Sequence, residues 1–86
     1  MKLPIIRTIS ELAAEKGAEK VQNTIEVLEH VSQARGLKDE ELNVIGELLS
    51  NLYGAVEVHQ MVEAGQPQKE ALNTFMQRVL GSIDKQ

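Results

Sequence analysis

Two histidines carry most of the chemistry this sequence could offer. His59 precedes Glu63 by four residues, and His30 follows Glu26 by the same interval. A histidine and a carboxylate at i, i+4 share one helix face, where they can hold a metal or tune a general base. The plainer reading of His59 is a half-buried histidine beside Leu48, Leu52 and Ala55 with a local carboxylate partner. His30 and Glu26 read as a solvated surface pair. Diiron-carboxylate bundles need Glu-x-x-His on two helices. Here Val27 stands three residues before His30 and Val56 three before His59, so that motif is absent. Glu47, Asn51 and Glu57 share the segment with His59 and are expected at the rim of a core or in water. No catalytic residue, metal ligand or cofactor is assigned. A catalytic or metal-binding bundle built on His59 and nearby carboxylates is the alternative function.

Other chemistries fail on composition. The 86 residues include no cysteine, which excludes disulfides and thiolate metal sites. The formal net charge is -4, with both signs interspersed along the chain, so no nucleic-acid partner is expected. Lys69, Arg78 and Lys85 are spread around the last helix and make no basic stripe. Tyr53 and Phe75 are the only aromatics, too few for base stacking. No phosphate loop or nucleophile elbow occurs. An acyl carrier protein would match in size and acidity, but needs a modified serine in an Asp-Ser-Leu context opening an internal helix. The nearest string, Gly81-Ser82-Ile83-Asp84, stands at the C-terminus. No apolar run approaches the roughly 20 residues of a membrane span. The opening lacks the features of a signal peptide, so the expected location is cytoplasmic.

The elements that position these residues are helical. Gly17, Gly36 and Gly65 each follow a stretch of helical periodicity, and Pro4 and Pro67 sit where a first turn tolerates proline. The pattern predicts one all-α domain over 1–86, with four helices near 4–15, 18–35, 39–64 and 67–82. Helix 1 has two possible starts, at Pro4 or at a Thr8-Ile9-Ser10-Glu11 capping box, and its expected core side is Ile5, Ile9 and Leu12. Helix 2 is expected to bury Val21, Ile25, Leu28 and Ser32, widened by Thr24 and Val31. Helix 4 is expected to bury Leu72, Phe75, Met76, Val79 and Ile83.

Helix 3 carries the most information. Asp39 is its expected cap, and Leu42, Ile45, Leu49, Leu52 and Val56 form its main stripe, flanked by Leu48 and Ala55. At 1.5 Å per residue it is roughly 38 Å long. A compact chain of this size is only roughly 30 Å across. Helix 3 therefore overhangs its own domain or is covered by something else. Gly46, Ser50 and Gly54 recur every four residues as a small-residue strip, although each interior glycine costs about 0.8–1 kcal/mol relative to alanine. Such a strip admits a second backbone, from the same chain or from another.

The stretch LKDEELNVIGELLSNLYGAVEVHQMVEAGQPQKEALNTFMQRVLGSIDK, with the opening MKLPIIR, resembles a family of short bacterial proteins that form a domain of unknown function. Residues 8–36 resemble it in helical pattern rather than in letters. The resemblance implies a small helical cytoplasmic protein and brings no activity, ligand or site with it. The function expected from the residues is a non-enzymatic protein–protein interaction module, self-associating as a homodimer through helix 3. Its expected interface is Gly46, Ser50, Gly54, Glu57, Val58, Met61 and Val62.

Overall fold

Helix punctuation in the sequence becomes helix termination in space. A computed structural model describes residues 2–84, with side-chain surroundings for 2–79. Four helices follow in order: α1 (Leu3–Lys16), α2 (Ala18–Val31), α3 (Asp39–Glu63) and α4 (Gln68–Asp84). No strand occurs among the described residues. Gly17 alone joins α1 to α2. Its φ of 100° lies where L side chains are disfavoured, and its N–H bonds the Ala13 carbonyl at 2.8 Å.

Two helix starts fall within a residue of expectation, and one helix end differs. Of its two possible starts α1 takes the earlier, with Pro4 in its first turn. The hydroxyl of Thr8 donates to the Pro4 carbonyl and that of Ser10 to the Arg7 carbonyl, so neither forms a capping box. α2 stops four residues short of the expected 35, because Ser32 donates its hydroxyl back to Glu29 and the chain turns ahead of Gly36. Lys38, not Asp39, is the residue before α3. Its N–H is taken by the Glu41 carboxylate at 2.9 Å, while Asp39, Glu40 and Glu41 face the positive end of the helix dipole.

α3 is the central element and touches all three others, while α2 and α4 do not meet among the described residues. The chain forms a slab of 43 × 36 × 16 Å, two helices thick. One core cluster joins α1, α3 and α4 through Ile6, Ala55, Val58, Ala71, Leu72 and Phe75. The other joins α1, α2 and α3 through Ala13, Val21, Ile25 and Leu52.

Several core expectations need correction. α1 buries Ile6, Ser10 and Ala13, one position round from the expected face, leaving Leu12 exposed and Ile5 and Ile9 half-buried. The small Ser10 and Ala13 let α1 approach α3 closely, which the bulkier face would not. In α2, Thr24 and Val31 are exposed, and Leu28 and Ser32 are only half-buried. α4 buries Leu72 and Phe75 as expected, with Met76 and Val79 half-buried. Ile83 lies outside the described side chains.

The strip on α3 receives α4 at its far end. A Cβ at Gly54 would stand 3.0 Å from Phe75 Cζ and 3.2 Å from Ile6 Cδ1. Gly54→Leu gains helix propensity but overpacks this crossing, so it is expected to lose about 1–3 kcal/mol with no change of mass. Denaturant unfolding beside light scattering checks this. A folded chain of changed mass would place the strip between molecules instead.

Candidate docking surface

The chemical candidates come first. His59 is buried, and its Nε2 lies 3.3 Å from Oε1 of the exposed Glu63. Its Nδ1 is buried with no hydrogen-bond partner among the described residues. Among the described residues no three metal-ligating side chains come together. One exposed carboxylate on a histidine's outer nitrogen is the geometry of a local i, i+4 helix pair. An unpartnered buried nitrogen costs about 1–3 kcal/mol. His59→Leu, of similar volume, is therefore expected to hold or raise stability, read by urea unfolding. A loss of stability together with a lost zinc-dependent stabilisation would instead make His59 a ligand.

The other polar residues are engaged locally. Asn51 is buried rather than at a rim, because its Oδ1 accepts the Lys2 N–H at 2.8 Å. It thereby fixes the start of α1 at this level of α3. Glu57 is half-buried and pairs with Arg78, whose guanidinium lies over the Phe75 ring at 5.7 Å. Glu47 is exposed. The Tyr53 hydroxyl donates to the Glu29 carboxylate, which raises the phenol above its ordinary pKa of 10.0. Because the folded state holds this proton more tightly, the contact supports the fold below the ordinary value and is lost as pH climbs through the raised one.

Most of the interface expected from sequence is spent inside the chain. Gly54 packs on Phe75 and Ile6, and Val58 is fully buried in the α1–α3–α4 cluster. Met61 and Val62 are half-buried against the same cluster. They appeared free because α4 returns across this half of α3 from a distance in sequence. Ser50 is half-buried, and only Gly46 is open, with nothing within 4 Å of a Cβ built there.

The uncovered surface lies at the other end of α3. From Asp39 to Ser50 the helix carries no buried residue. Val44, Leu48, Asn51 and Ala55 fall at i, i+4, i+7 and i+11, one stripe of a helix. Asn51 and Ala55 are buried, and Lys2 at the start of α1 reaches Asn51. Val44 and Leu48, beyond that point, are 56% and 41% exposed. The stripe is thus a seat for a helix, filled in its second half and bare in its first. On α2, Thr24 lines a cleft with Ile9 and Leu12 of α1. Val27 and Val31 follow Thr24 at i+3 and i+7, which puts them on the side of α2 that α1 uses, and both are exposed. Sequence reasoning missed Val44; its spacing to Leu48 and Asn51 was the available signal.

The class these observations define is a small all-helical domain. The chain belongs to the Family of unknown function (DUF6952), whose model matches residues 1–84. No curated protein and no solved structure matches it. Among the described residues no helix is long and apolar enough to cross a membrane.

Proposed function

We propose that this chain is a non-enzymatic protein–protein interaction module of the cytoplasm, and that it docks its partner on the bare half of the α3 seat. The observation that carries this reading is the change of exposure along one stripe, from buried Ala55 and Asn51 to open Leu48 and Val44. The chain's size supports it. A folded monomer of 9.5 kDa exposes roughly 5,000 Å² by the usual scaling, and this one exposes 6094 Å². The excess of about 1,000 Å² is of the order that one partner buries in a stable interface, about 800 Å². The radius of gyration, 13.9 Å, also exceeds the roughly 12 Å of a compact chain this long. Both a second copy and a different protein supply apolar cover of this kind, and this seat takes the place of the expected contact through Gly54 and Val58, which are buried within the chain.

A photoreactive residue placed at position 48 or 73 in the native cell tests the reading. Position 48 is expected to give a discrete adduct and exposed position 73, on α4, none, with the adduct mass separating a second copy from another protein. Equal labelling from both positions, or none from 48, would remove the docking surface.

A further inference from the structure

The charge around the bare seat identifies its occupant. Residues 26–47, which make the end of α2, the turn and the start of α3, contain six acidic and two basic side chains. That segment alone has the chain's whole net charge of -4, so the remainder is balanced. The acids frame the apolar stripe. Glu40 stands four residues before Val44 and Glu47 three after it, on one flank. Glu41 stands three before Val44 and seven before Leu48, on the other. All three are exposed, and among the described residues only the Glu41 carboxylate has a partner, the Lys38 N–H.

An apolar strip two turns long between acidic flanks is complementary to a helix with an apolar stripe between basic flanks. It is a poor match for itself. A two-fold pairing would set the same patch against its copy, bringing the exposed Glu40, Glu41 and Glu47 of one chain against those of the other. The seat is also shaped for a helix, since α1 occupies its second half. We infer that the occupant of the Val44–Leu48 seat is a basic amphipathic helix of another protein. This rests on the docking surface proposed above and names the chemistry of its partner. Valines and leucines on the two sides supply the contact, while lysine or arginine beside Glu40, Glu41 and Glu47 supplies steering and register.

The test is a titration of the isotopically labelled whole chain with two synthetic helical peptides of 14 residues. One carries a leucine stripe flanked by lysines, and the other the same stripe flanked by glutamates. The lysine peptide is expected to bind at least about tenfold more tightly, and to weaken several-fold between 50 and 300 mM salt as screening shortens. Its binding is expected to shift the methyl signals of Val44 and Leu48. Charge reversal in Glu40→Lys with Glu47→Lys, both exposed, is expected to abolish the preference while leaving the fold intact. Equal affinity for the two peptides, preference for the glutamate peptide, or no binding of either overturns the inference. So does a mass that doubles with concentration while Val44 and Leu48 signals shift, since a second copy then holds the seat. If those signals respond to the glutamate peptide or to a second copy, the docking surface stands and only its occupant changes. If they respond to nothing, both fall.

Discussion

Phe75→Ala is expected to destabilise the chain by about 3–5 kcal/mol, the largest loss from any single truncation here. Phe75 is 3% exposed and fills the crossing where α4 meets Gly54 of α3 and Ile6 of α1. A ring removed from a crossing set by a glycine leaves a void that no neighbouring side chain can occupy without moving a helix. The Arg78 guanidinium loses its ring and keeps only the half-exposed Glu57. A small domain has only about 5–15 kcal/mol of net stability, so the variant is expected to lose a large share of it in urea unfolding. A loss below about 1 kcal/mol would mean that α4 is dispensable to the core.

Leu52→Ala is expected to cost about 2–4 kcal/mol. Leu52 is the α3 member of the second cluster, against Ala13, Val21 and Ile25. It holds the first half of α2 to α3. A change below about 0.5 kcal/mol in the same assay would show that α2 is held elsewhere.

The four helices were legible because their signals are local: glycines after periodic runs, prolines in first turns and acids at the start of α3. The face of α1 was not. Ile5, Ile9 and Leu12 look more apolar than Ile6, Ser10 and Ala13, yet the latter are buried because Gln68 of α4 donates to Ser10 at 3.1 Å and α3 needs a small surface to approach. The strip was legible as a close approach, but its partner was not. Phe75 reaches Gly54 across 21 residues of sequence, and only the fold puts them together. That α3 overhangs its domain or is covered by something else followed from its length alone, whereas which end is bare depended on α1 starting level with Asn51. Val44 was hidden for the same reason. Nothing near it in sequence says that the helix covering its stripe stops short.

Urea unfolding of a Val44→Gln, Leu48→Gln double variant tests the central claim most directly. Glutamine keeps the helix propensity and roughly the size of these side chains, adds no charge to the acidic arm, and removes the apolar surface. If the first half of the seat is bare within the chain, the pair is expected to cost less than about 1 kcal/mol in total. A loss of more than about 2 kcal/mol, on the scale of core truncations, would place Val44 and Leu48 inside the chain's own core and contradict the account.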